Sequence, residues 1–287
     1  MEHDDIPQPP GARFSPGIKF WLVPSLMFAC SGIYTLIASS SKFAWMNAGP
    51  DDGYPVAYAR WAEVIASVIL FAIPAVVYAN VFPPERFRWF RLDRKAGIAV
   101  TLLAVLSLAI AVVGFDAVYN WIGTQIKDPA LKEIQESGEK NTDWILSMPS
   151  AGDLFFCLFV GALVPAFCEE LFFRATFQQS LIEWNRKPHL SVWITAAFFS
   201  FMHFDIAGFP VIFASGLMLG YAFVRTGSLR VNILMHFVFN SVSILESFIA
   251  ERSAAFKSWE PGIPGAAISF GLAGALFFFF WRRTRTA

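Results

Sequence analysis

Apolar runs of about twenty residues recur along the whole of this chain, and they decide what it can fold into. As a helix, each run crosses the ~30 Å hydrocarbon core of a bilayer, where every backbone polar group must be satisfied within the segment. Of the 287 residues, 56% are hydrophobic, 15% are charged and 32 are phenylalanine. An ordinary soluble domain carries about 25% charged residues. The sequence therefore predicts an all-α polytopic membrane protein with about eight transmembrane helices. The spans read approximately as Ile18–Ser40, Ala59–Phe82, Ala96–Ile122, Gly152–Leu181, Ser191–Phe204, Phe209–Val224, Val231–Ile249 and Ile263–Trp281. The fifth and sixth are short and divided by the turn-like Asp205–Pro210, so either could be re-entrant.

The chain divides into four regions. Residues 1–17 are acidic and proline-rich without a basic n-region, which reads as a disordered tail rather than a cleaved signal peptide. Residues 18–150 form an N-terminal three-helix membrane region, 151–250 a helical core in which the polar residues of the apolar runs cluster, and 251–287 the last span with a basic tail. The loop Gly123–Pro149 holds a polar stretch that suits a short surface helix. Arg86, Arg88, Arg91, Arg94, Lys95, Arg186, Lys187, Arg225, Arg230, Arg282, Arg283 and Arg285 all fall on one side of an eight-span bundle. The positive-inside rule then puts both termini in the cytoplasm of a multi-pass protein of the plasma or inner membrane. No basic tract with interleaved aromatics suggests nucleic acid. Cys30, Cys157 and Cys168 lie in apolar runs without metal-ligand spacing and read as small buried hydrophobes, although Cys168, beside the acids, is also a candidate thiol nucleophile.

Polarity within the apolar runs is concentrated in the second half. Glu169 and Glu170 are adjacent in GALVPAFCEELFFRATF, with Arg174 four residues after Glu170. A charged side chain near the bilayer centre costs at least ~2.5–3.5 kcal/mol, so such a pair is a functional-site hypothesis by default. Glu170 and Arg174 have the favourable i, i+4 order of an ion pair. Glu169 points about 100° away round the helix, and its own i+4 position is Phe173. It is therefore the carboxylate left free to work, meeting His203 across the bundle. Pro165, four residues before it, removes a backbone donor and bends the helix.

His203 closes the run FFSFMHF, and His236 and Asn240 share one face of NILMHFVFNS. At ~1.5 Å per residue, Glu169 and His203 lie roughly 20 Å from the cytoplasmic ends and His236 and Asn240 about 8–15 Å. A carboxylate with an imidazole can deprotonate a water. A second imidazole and an amide suit a developing oxyanion. Amide hydrolysis by an activated water is the natural reaction class. The remaining polar residues read blandly: Arg60 and Glu63 as an i, i+3 pair, Asp116 and Glu246 near the outer interface, Asp205 in a loop, and Ser200, Ser241 and Ser243 bonded back to helix carbonyls.

At these residues the chain resembles the CPBP family of intramembrane proteases, the CAAX prenyl proteases and bacteriocin-processing enzymes also called the ABI family. The family signature is E-E-x-x-x-R, then F-x-x-x-H, then H-x-x-x-[N/D]. Here it reads EELFFR at Glu169–Arg174, FSFMH at Phe199–His203 and HFVFN at His236–Asn240, with a GSL turn at Gly227–Leu229. The resemblance covers roughly Asp153–Leu245 and implies a metal-free, cofactor-free glutamic endopeptidase with an eight-helix core. It implies that Glu169 and His203 activate the water, that His236 and Asn240 form the oxyanion site, and that Glu170 with Arg174 supports them. The implied partner is a membrane-associated protein or peptide in the bilayer. Eukaryotic relatives trim prenylated CAAX proteins, but many bacterial relatives have no established substrate, so prenyl dependence is not carried over.

Two other readings stay open. His203, His236 and one glutamate have the ligand types of a catalytic zinc. Buried charges also line transport pathways, so a transporter, an immunity factor or a scaffold is the reading from outside the enzymes.

Overall fold

The computed structural model describes residues 14–83, 86–257 and 262–284. The tail through residue 13, with His3, lies outside the described residues, as do Trp259 and Arg285. Helices form wherever the apolar runs demand them, and no strand occurs among the described residues. α1 (Pro16–Ala38) begins with Pro16 at its first position and the Ser15 hydroxyl accepting from the Ile18 N–H, so its first turn is capped as the sequence allows. α2 (Val56–Ser67) runs through a π-helical segment, Val68–Ala72, into α3 (Ile73–Val81). α4 is Ile98–Gln125. α5 (Pro129–Ile145) is the amphipathic surface helix expected in the loop, capped by Asp128.

The fourth span is one continuous rod of 35 residues, Ala151–Asn185. It comprises α6 (Ala151–Cys157), a π segment at Leu158–Leu163, α7 (Val164–Phe172), a second π segment at Phe173–Gln178, and α8 (Gln179–Asn185). α9 (Pro188–Phe201), α10 (Phe209–Thr226), α11 (Leu229–Ala250), the short α12 (Ala254–Lys257) and α13 (Gly262–Arg283) complete the bundle. Among the described residues, seven helices are long and apolar enough to cross a membrane, against the eight spans expected. The difference is α9, whose 14 residues reach only about 21 Å. It turns back through residues 202–208 and packs along α10 as an antiparallel hairpin.

That hairpin closes tightly because α10 carries small residues on the contact face. A β-carbon on Gly220 would sit 2.8 Å from Val192 Cγ1 and 2.9 Å from Gln178 Oε1, and one on Gly216 would sit 3.2 Å from Ala196 Cα. Close backbone approach through small residues is how helices associate in lipid, where no hydrophobic force draws them together. Ser200 bonds forward to the Phe209 carbonyl at 2.6 Å rather than back to its own helix, and Asp205 accepts from the Gly208 N–H at 2.9 Å to shape the turn. Gly220→Val is expected to cost about 1–3 kcal/mol of stability through overpacking, read as a lowered unfolding midpoint of the purified protein in detergent.

Arg60 does not pair with Glu63. Its guanidinium donates to the Ile145 carbonyl at 2.9 Å and the Ser147 carbonyl at 2.6 Å, and lies 3.1 Å from the Asp153 carboxylate. It serves as a buried clamp tying α2 to the end of α5 and the start of α6. The spacing on one helix was right for a pair, but three acceptors across the bundle satisfy more of the fork than one carboxylate would.

Candidate active site

Two π segments flank the acidic pair, one ending at Leu163 and the other beginning at Phe173. Each inserts an extra residue into the turn and rotates the helix beyond it, a device concentrated at functional sites. The first absorbs Pro165, which has no N–H to offer the Gly161 carbonyl four residues back. Asn240 Nδ2 donates to that carbonyl at 3.2 Å, tying α11 to the fourth span just below the acids.

Glu170 is fully buried and has three partners. Arg174 Nη1 lies 2.9 Å from Oε1, His236 Nδ1 lies 3.0 Å from the same oxygen, and Asn232 Nδ2 donates to Oε2 at 3.3 Å. The guanidinium is angled off an ideal hydrogen bond, so its hold on Glu170 is chiefly charge on charge. Arg174 is itself fully buried; its Nη2 donates to the Gly216 carbonyl at 3.4 Å, and its guanidinium carbon lies 4.5 Å from the centre of the Phe199 ring. The glycines of α10 thus bring a backbone carbonyl within reach of a fully buried charge.

The partner of Glu169 differs from the one expected. Its Oε2 lies 3.9 Å from His236 Nε2 and has no hydrogen bond, and the residue is 9% exposed. Among the described residues no ion pair joins it to His203. His203 sits just beyond the close of α9, exposed, with Nδ1 bonded to the Phe199 carbonyl at 2.8 Å. Because a carboxylate and a carbonyl can only accept, both imidazoles donate from Nδ1 in these contacts. His236 therefore presents Nε2 to Glu169 while Glu170 holds its other side.

Two residues of this centre had no role in the sequence reading. Asn232 lies one turn before His236 on the same face of α11, and that i, i+4, i+8 series with Asn240 was the available signal. Its Nδ2 also donates to the Leu219 carbonyl at 2.7 Å. Phe199, the first letter of FSFMH, packs against His203 at 4.7 Å, His236 at 5.9 Å and Phe173 at 5.0 Å between ring centres. With Arg174 on its face, it is the wedge that sets both histidines. Asn232→Leu is expected to lower kcat about tenfold or more with little change in KM, because Glu170 loses a donor and His236 its fixed acceptor; the check is steady-state kinetics on a peptide substrate.

Residues 151–242 match the family model described as type II CAAX prenyl endopeptidase Rce1-like. This segment is a CAAX-protease-family domain. It contains all three motifs, Glu169–Arg174, Phe199–His203 and His236–Asn240, and it begins where the 35-residue rod begins. No curated protein and no solved structure matches the chain. With seven helices among the described residues long and apolar enough to cross a membrane, three of them in or overlapping the matched segment, the chain is a membrane protein that carries a CAAX-protease-like segment. The first three spans pack outside the matched segment and supply the α2 face against which α7 rests.

Proposed function

We propose that this protein is an intramembrane endopeptidase that hydrolyses a peptide bond of a membrane-associated protein or peptide with water activated at Glu169, without a metal. One observation carries the reading: a buried carboxylate oxygen of Glu169 with no hydrogen bond faces His236 Nε2 at 3.9 Å. A water about 2.8 Å from both atoms would see them at roughly a right angle, close to the geometry of its own two hydrogens. It donates one hydrogen to Glu169 and the other to His236 Nε2, which leaves a lone pair for the substrate carbonyl.

Attack forms the carbon–oxygen bond, moves the water proton to Glu169 and places negative charge on the former carbonyl oxygen. Collapse breaks the carbon–nitrogen bond, and the proton passes from Glu169 to the departing amine. The remaining N–H of Asn240 and, when protonated, His203 are assigned to the oxyanion. Glu170 does not react; balanced by Arg174, it holds His236 in one tautomer. His236 thus works beside Glu169, the place that the family resemblance gave to His203. The basic loops add that the protein lies in the plasma or inner membrane with both termini in the cytoplasm.

Zinc would need His203, His236 and a glutamate to converge. No three His, Cys, Asp or Glu side chains among the described residues are grouped as metal ligands. Cleavage of membrane-reconstituted peptides by the purified protein is therefore expected to survive EDTA. Activity that falls on chelation and returns with zinc would establish the metal reading instead. Cleavage of no peptide, alongside intact physiological function in Glu169→Gln, would establish a non-enzymatic role.

A further inference from the structure

A cavity of about 1080 Å³ lies between α4, α11 and α13, at the end of the bundle where α4 and α11 finish and α13 starts. Its wall takes no residue from the fourth span, α9 or α10, so it is separate from the candidate active site. Packing on either side of it explains why it exists. Ser269 Oγ donates to the Ile110 carbonyl at 2.6 Å and accepts from the Gly114 N–H at 3.0 Å. The Phe270 ring lies so close to Gly114 that a β-carbon there would sit 2.8 Å from it. These contacts pin α13 to α4 at the floor of the cavity. Beyond them the three helices face one another with Ala117, Ser243, Ala266 and Ala267, which are too small to fill the space.

Two acids line this cavity, Asp116 from α4 and Glu246 from α11, both partly buried. Their spacing in the sequence suggested only that both lie near the outer interface. In the structure the two carboxyls stand within hydrogen-bond reach of each other across the cavity. Among the described residues no salt bridge involves either one. Lys127, just past the end of α4, donates to the Thr124 carbonyl instead, at 2.8 Å. Two ionised carboxyls this close repel, and an acid within a span calls for a partner. The wall beside them is apolar, formed by Val113, Val118 and Phe270. Sites for small ligands commonly enclose roughly 300–1,000 Å³, apolar with a few convergent polar groups. This cavity has that size and that make-up, and its polar groups are of one sign.

We propose that the cavity binds a cationic amphiphile, an alkyl amine whose ammonium sits between Asp116 and Glu246 and whose chain lies along Val113, Val118 and Phe270. An ammonium has three hydrogens to donate and nothing to accept with, so it bonds both carboxylates at once and cancels their repulsion. An uncharged chain of the same length fills the apolar wall but leaves the acids facing each other. An anionic one adds a third negative charge. The site stands independently of the endopeptidase reading.

The test uses the full chain in phosphatidylcholine nanodiscs and an alkyl amine carrying a photoreactive diazirine on its chain, with labelled residues located by mass spectrometry. Labelling is expected on the cavity faces of α4, α11 and α13. Dodecylamine should suppress it at about a tenth or less of the concentration, counted per lipid, that dodecanol requires, since a hydrogen bond to a charged group is among the stronger ones. Asp116→Asn with Glu246→Gln should bring the two competitors level. Asp116→Asn with Glu246→Lys should turn the preference toward dodecanoate, a gain that misfolding cannot produce. Equal competition in wild type would make the cavity a groove filled by lipid chains and overturn the proposal. An amine preference kept by the Asn/Gln variant, or labelling confined to other parts of the protein, overturns it as well.

Discussion

Glu169→Gln is expected to lower cleavage by about 10²–10⁴-fold, the contribution of a positioned general base. The unfolding midpoint should barely move, within the roughly 0.5 kcal/mol typical of changes that break no structural contact. The two expectations come from the same geometry. Glu169 Oε2 accepts no hydrogen bond and stands 3.9 Å from His236, so a side chain of equal shape removes the proton acceptor and little else. Single-turnover cleavage and thermal unfolding on one preparation check both. A Gln variant retaining a tenth or more of wild-type activity would remove Glu169 from the chemistry.

Arg174→Met should do the reverse to stability. It leaves Glu170 at 0% exposure with no cation to balance its charge, held only by His236 and Asn232, and removing one partner of a buried pair costs about 3–5 kcal/mol. The protein is expected to unfold at a markedly lower temperature or to be lost on extraction. The double variant Arg174→Met with Glu170→Leu removes both charges at similar volume and should recover much of that stability, as replaced buried pairs often do. Activity should not return with it, because His236 Nδ1 then has no carboxylate to hold its ring. A double variant as active as wild type would make the pair purely structural. The cycle is interpretable only because the two residues touch, so their effects are not additive.

How much of this was visible beforehand depends on whether a contact runs along one helix or between two. Glu170 with Arg174 was legible, since i, i+4 neighbours meet on any helix, and the pair forms even where the rod turns into a π segment. The helical class and most spans were legible too, because a bilayer tolerates few alternatives. The reading of Arg60 with Glu63 failed for a converse reason. Local spacing permits a pair, but the 145–153 segment, some ninety residues away, offers the guanidinium better acceptors. The fifth span falls short of a crossing because α9 has only 14 residues, as many as the reading Ser191–Phe204 gave it, and turns back on α10.

The sequence alone determined that this is an all-helical membrane protein with acids, histidines and amides gathered in its second half, because hydropathy and the cost of buried charge allow little else. It also marked those residues as family motifs. Only the tertiary structure decided which imidazole meets which carboxylate. That choice depends on how the fourth span is rotated between its two π segments and how closely the glycines of α10 let the hairpin approach. A shift of one residue in either π segment turns Glu169 by about 100°, and no spacing along a single helix records that angle.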